Sequence, residues 1–197
     1  MTRTGRFEDA LYYFKLAKAE YQASQNTTGL YRTNLGMANL MIQKAELAEA
    51  ERYLTEADSV QQEGPDYLVY LTHRQKIAFL KEDYRQALSY SARKLESARP
   101  LGYRHLLADA FSDHGFYQML NGNYDEGLAL TEEAAVLIKA IEDKDKHYYN
   151  QLNMLLYTRC QGSNTARLAK EVDHWAKKQS DVVLQEFLSF VLAWPCP

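Results

Sequence analysis

Five histidines, two cysteines, fifteen tyrosines and nine glycines are the residues in this 197-residue chain from which a chemical site could be built. His73, His105, His114, His147 and His174 stand in no HExxH or comparable ligand spacing, so they offer no metal cage. His73 and His114 could meet across neighbouring helices, but packing or solvent accounts for each without a site. The glycines are isolated and cannot cradle a phosphate, and no serine has the surroundings of a nucleophile. Glu142-Asp143-Lys144-Asp145-Lys146 is acidic and loop-like but lacks the calcium-loop pattern, so it reads as a solvated turn. Cys160, inside a predicted helix, and Cys196, near the end of the sequence, lack the spacing of a metal site or a disulfide framework; both are expected as free thiols. No catalytic constellation, metal or cofactor is expected, and the chain does not read as an enzyme.

Charge removes further classes. Formal net charge is −3 and the isoelectric point about 6.0, without the clustered Lys and Arg that nucleic acid or an anionic membrane would need. The paired tyrosines, Tyr12-Tyr13 and Tyr148-Tyr149, could stack on bases, but without a basic stripe they are packing residues. The longest apolar run, Val182 to Trp194, is interrupted by Gln185, Glu186 and Ser189 and falls short of the ~20 residues a bilayer needs. MTRTGRFEDALYYF passes directly into a charged amphipathic pattern without a signal-peptide core, so the expected location is the cytoplasm.

What must position any site is a set of helices. The chain is 46% apolar and 25% charged, poor in glycine and proline, and its apolar residues recur at helical spacing. Helices are expected at 6–24, 29–43, 47–62, 66–80, 84–99, 103–120, 124–142, 146–160, 164–178 and 181–193. Turn residues fall between them: Asn26-Thr27-Thr28-Gly29, Gly64-Pro65-Asp66, Pro100-Leu101-Gly102, Asp143-Lys144-Asp145 and Gly162-Ser163-Asn164. Residues 111–134 show the unit most clearly, with Phe111, Gly115, Met119 and Leu120 on one helix and Tyr124, Gly127, Leu128 and Ala134 on the next. Asn121-Gly122-Asn123 forms the break between them.

That unit recurs. GRFEDA from Gly5, AELAEA from Ala45, EDYRQA from Glu82 and GNYDEG from Gly122 share a turn residue, a large apolar residue two on and a small residue five on. The small positions Ala10, Ala50, Ala87, Gly127 and, in a weaker fifth copy, Ala169 follow one another at 40, 37, 40 and 42 residues. Seven further along lie Ala17, Ala57, Ala134 and Ala176, with Lys94 the exception. Small residues seven apart share a helical face and let a neighbouring helix approach closely, and stacking such hairpins buries a face that one hairpin cannot.

On these residues the chain resembles tetratricopeptide repeats, in a long-period form of about 40 residues. Phe111, Gly115 and Gly127 match the aromatic and the two small positions of that motif, with Gly122 and Tyr124 at its turn. The resemblance runs from Gly5 to about Lys178, with Gln75, Ser91 and Thr131 departing from the pattern. It implies an all-α fold, a right-handed α-solenoid of stacked antiparallel helix pairs with about ten helices. These form one domain over 1–197: a half repeat at 5–24, pairs at 29–62, 66–99, 103–142 and 146–178, and a terminal helix at 181–193. It further implies a scaffold binding a peptide or helical segment of a partner protein in a concave groove lined by the first helix of each pair. The residues so placed are Arg32, Leu35, Asn39 and Ile42, then Val69, Thr72, Lys76 and Phe79, then Asp109, Ser112, Phe116 and Met119.

Some members of that family clamp a carboxylate tail with Lys and Asn. Leu35 stands where a clamp lysine is expected, and Asp109 and Asp113 would repel such a ligand. The alternative implied function is the signal- or peptide-sensing portion of a bacterial transcriptional or signalling regulator, suggested by the long period and by Asn34, Asn39, Asn150 and Asn153. The chain starts on what should be a second helix and stops after a first helix, so a fragment of a longer solenoid or pairing of the ends is expected. The apolar last helix, with Phe187, Phe190, Val191 and Trp194, is the expected assembly surface for a homodimer.

Overall fold

The computed structural model describes residues 3–58 and 63–196, with side chains from Phe7 onward. Among the described residues the fold is all-α. The helices are α1 (Arg3–Ala23), α2 (Thr27–Gln43), α3 (Leu47–Asp58), α4 (Pro65–Leu80), α5 (Tyr84–Ala98), α6 (Arg104–Leu120), α7 (Tyr124–Ile141), α8 (Lys144–Cys160), α9 (Ala166–Gln179) and α10 (Val182–Ala193), with a 3-10 turn at Arg99–Leu101. All ten expected helices are present, because capping and turn residues act locally. The last residues expected in α3, 59–62, lie outside the described residues. Lys144 to Lys146, expected in a solvated turn, begin α8 instead, because the Asp143 carboxylate accepts the Lys146 amide at 2.9 Å and caps the helix.

Left-handed residues end many of these helices, and they fall into two interleaved series. Ala45, Glu82, Gly122 and Gly162 form one; Gln25, Gly64, Gly102, Glu142 and Ser180 form the other, and each series repeats at about 40 residues. At Ala45, Glu82, Gly122 and Gly162 the hydrogen bonds are the same: the left-handed residue donates to the carbonyl three before it, and the next residue to the carbonyl five before that next residue. This is the closure that satisfies the last carbonyls of a helix. Only two of these four positions carry glycine, so the turn geometry repeats more faithfully than the sequence.

The chain divides into two compact units, Met1–Ser97 and Ala98–Pro197. In the first, α2 touches α1, α3 and α4. Gly29 and Gly36, seven apart on α2, receive the rings of Tyr21 and Phe14, seven apart on α1; a Cβ would lie 2.6 Å from Tyr21 and 2.5 Å from Phe14. Around this crossing the core gathers Tyr31, Leu35, Met37, Ala38, Met41, Leu54, Tyr67 and Leu71. The Asn26 side chain accepts the Gly29 amide at 2.8 Å and caps α2, the helix on which this unit's packing centres. Asn26→Ala should therefore cost about 1 kcal/mol of stability, read as a lower denaturant midpoint at unchanged slope.

In the second unit, α8 touches α6, α7, α9 and α10. Phe111, Met119, Ala134, Ile138, Leu155, Leu156, Val172, Leu184 and Val191 fill the core. Cys160 and Cys196 are joined in a disulfide that spans 36 residues, with the Cα atoms 5.0 Å apart. The expectation of free thiols is thus corrected. Sequence spacing does not show that α9 and α10 return the chain to the end of α8, and this return creates the pair. No helix among the described residues is long and apolar enough to cross a membrane.

Candidate functional site

In the first unit the expected groove residues separate into two kinds. Leu35 and Ile42 are 4% exposed and belong to the core. Arg32 is exposed, while Asn39, one heptad on, and Thr72, Lys76 and Phe79 on α4 are half-buried; Val69 is exposed. The Arg32 guanidinium bonds the Asp66 carboxylate at 2.7 Å. Asp66, Val69 and Lys76 are three and seven residues apart on α4, so that bond sets the Arg32–Asn39 edge of α2 beside the Val69–Lys76 edge of α4. The result is a mixed face of the Arg32–Asp66 ion pair, Lys76, an amide and apolar side chains. Thr72 turns its hydroxyl inward to the Leu68 carbonyl at 2.9 Å, and Phe79 packs against Tyr84 with ring centroids 6.0 Å apart. Asp66 was legible only as turn punctuation after Gly64-Pro65; its partnership with Arg32 spans 34 residues.

Beneath this face lies His73, 9% exposed. Burial first, and then the charges of Lys76 and Lys94, hold its imidazole down to about 4, against a hydrogen bond to the Leu35 backbone that favours the proton. Of the two readings the sequence left for His73, packing and solvent exposure, the side chain takes the first.

In the second unit, Asp109 and Ser112 are half-buried, and Phe116 and Met119 are in the interior. Lys146 pairs with Asp109. Asn153 donates from its side-chain amide to the Ser112 carbonyl at 2.8 Å, and Asn150 donates to the Thr131 carbonyl at 3.1 Å. These two asparagines, counted from sequence among possible sensing residues, tie α8 to α6 and α7. The departures from the repeat pattern at Ser91 and Thr131 are fully buried, small polar residues that back-bond to their own helices.

The expected assembly residues also turn inward in part. Val191 is fully buried, and Phe187 and Phe190 lie on Phe116 with ring centroids 6.1 and 6.3 Å away. Phe190 in turn packs on Trp194 at 5.3 Å. Much of the apolar character that suggested a dimer surface is spent inside the same unit; Val182, Val183 and Leu192 remain exposed on α10.

Compared with known proteins, the chain matches no family model, no curated protein and no solved structure.

Proposed function

We infer that this chain is a tetratricopeptide-like helical-repeat scaffold, an α-solenoid rather than an enzyme, that binds a peptide or helical segment of another protein. The observation that carries this reading is the double series of left-handed turns at a period of about 40 residues. It is supported by the contact of alternate helices, α2 with α4 in one unit and α6 with α8 in the other, since a helix pair that touches the next pair through its first helix is the unit from which solenoids are built. The binding face is the Arg32, Asn39, Val69, Lys76, Phe79 surface of the first unit. Val69 and Phe79 supply apolar anchors, while Asn39, Lys76 and the Arg32–Asp66 ion pair orient a polypeptide with polar and charged groups.

The test begins with peptides selected from a display library on the full chain. Lys76→Glu combined with Asn39→Ala should weaken their binding by about tenfold or more, on the scale of a lost interface anchor, with helicity and melting temperature retained. Unchanged affinity in the folded double variant would remove this face as the binding site.

A further inference from the structure

The last helix is held at three places. At its start, the Tyr149 hydroxyl donates to the Asp181 carboxylate at 3.0 Å, and the same carboxylate caps α10 by accepting the Leu184 amide at 2.9 Å. In its middle, Leu184, Leu188 and Val191 are buried. At its end, Arg159 donates to the Trp194 carbonyl and, at 3.3 Å, to the Cys196 sulfur, and the disulfide joins Cys196 to Cys160. Between these ties Phe187 and Phe190 cover Phe116 of α6, which is only 7% exposed. The first tie and the apolar contacts do not respond to redox conditions. The disulfide does.

We propose that the Cys160–Cys196 disulfide is a redox latch that keeps the C-terminal half of α10 over Phe116, and that its reduction lets this half lift away about the Asp181 end. Cys160 and Cys196 are half-buried, so a dithiol can reach the bond. The Arg159 guanidinium beside the Cys196 sulfur stabilises that sulfur as a thiolate, which makes it the better leaving group. A thiolate of the dithiol attacks the Cys160 sulfur and expels the Cys196 thiolate. The second thiol of the reductant then displaces Cys160 from the mixed disulfide. Two electrons and two protons pass to the pair, which ends as two thiols, while the reductant ends as a disulfide. Without the covalent closure, the tail from Leu188 to Cys196 is kept by non-covalent contacts, among them those of Leu188, Phe190, Val191 and Trp194, and by a half-exposed Arg159.

The uncovering of Phe116 follows from the geometry of this unit alone. Its consequence, that the freed face accepts a helix from a partner in place of α10, rests on the scaffold reading above. Occupation by its own helix already shows what chemistry that face takes: an amphipathic segment with aromatic side chains three and four residues apart.

Hydrogen exchange on the full chain, with and without a dithiol reductant, tests the latch. Amides of 188–193 should take up deuterium about tenfold or more faster after reduction, the scale on which losing a cross-link loosens a terminal element, while α7 is unchanged. The Cys160→Ser, Cys196→Ser double variant should exchange fast without reductant and not respond to it. Should that variant fail to fold, the reduced natural chain, checked by circular dichroism, gives the same comparison. Exchange within about twofold in the two redox states, or two alkylatable thiols in protein that has met only air, overturns the latch. A labelled synthetic peptide of residues 181–194 separates the two readings. If it binds the reduced chain and not the oxidised one, the freed face takes a helix; if exchange accelerates and it does not bind, the latch stands and the scaffold reading of this face falls.

Discussion

Gly127→Val is expected to destabilise the second unit by about 3 kcal/mol, with the denaturation midpoint as the measurement. A Cβ at Gly127 would lie 2.7 Å from the Gly115 carbonyl oxygen and 2.5 Å from the Met119 side chain, and a Cβ at Gly115 would lie 2.8 Å from the Gly127 carbonyl. Met119 is fully buried and meets the added Cβ through its Cγ, close to the backbone. The carbonyl of α6 cannot withdraw without moving the helix, and α7 is the helix it packs on most closely. Gly127→Ala should be milder, because alanine recovers about 1 kcal/mol of helix propensity against the same overlap. Gly122→Ala meets nothing within 4 Å and is strained only by its left-handed backbone, at φ 87°. If Gly127→Val melted with the natural chain, α6 and α7 would not approach through their glycines, and the role assigned to the small positions of the repeat would fail with it.

Acidification to about pH 5 should remove about 2 kcal/mol of stability through His73 alone. Its imidazole is held at about 4 in the folded chain against 6.5 for an unburied histidine. As pH falls through 6.5, the unfolded chain therefore takes up the proton first. The neutral histidine contributes its full share above about 6.5, and this share is lost progressively as pH falls towards 4. Denaturant titrations at neutral pH and near pH 5, run on the natural chain and on His73→Gln, isolate the effect, since carboxylates and the other histidines are common to both. The variant should lose about 2 kcal/mol less over that interval. Equal losses would mean that His73 is protonated or solvated in the folded state, and that Lys76 and Lys94 do not border it as described.

Both results turn on features that differ in how far they could be read from sequence. The small positions Gly115 and Gly127 were visible as members of a repeating pattern, and so was the requirement that a helix come close to them. His73 was visible only as a lone histidine on a helix. Its depressed basicity arises from burial first and then from the charges of Lys76 and Lys94, on α4 and α5, against a hydrogen bond to the Leu35 backbone of α2, and three helices must be placed before that is known.

The resemblance to tetratricopeptide repeats, rather than periodicity, placed the candidate binding residues Arg32, Asn39, Val69 and Lys76 on the expected groove face. It could not separate them from Leu35 and Phe116, which share the same expected face. Whether such a residue meets solvent depends on which helix lies against it. Leu35 faces its own unit's core, and Phe116 is covered by Phe187 and Phe190 from a helix about 70 residues downstream, a distance at which local patterning carries no information.

Among the described residues, the sequence by itself determined ten helices, most of their ends to within two or three residues, the period of about 40 residues and the small positions at which helices cross. All of these depend on interactions within a turn or two of helix: caps, apolar spacing, and residues that permit a left-handed turn. Only the tertiary structure decided the disulfide between Cys160 and Cys196, the pairing of Arg32 with Asp66 and of Lys146 with Asp109, and the burial of Phe116 beneath α10. Each of these joins residues more than thirty positions apart, and such pairs are selected by how whole helices stack, a balance of buried area and shape that no single stretch of the chain contains.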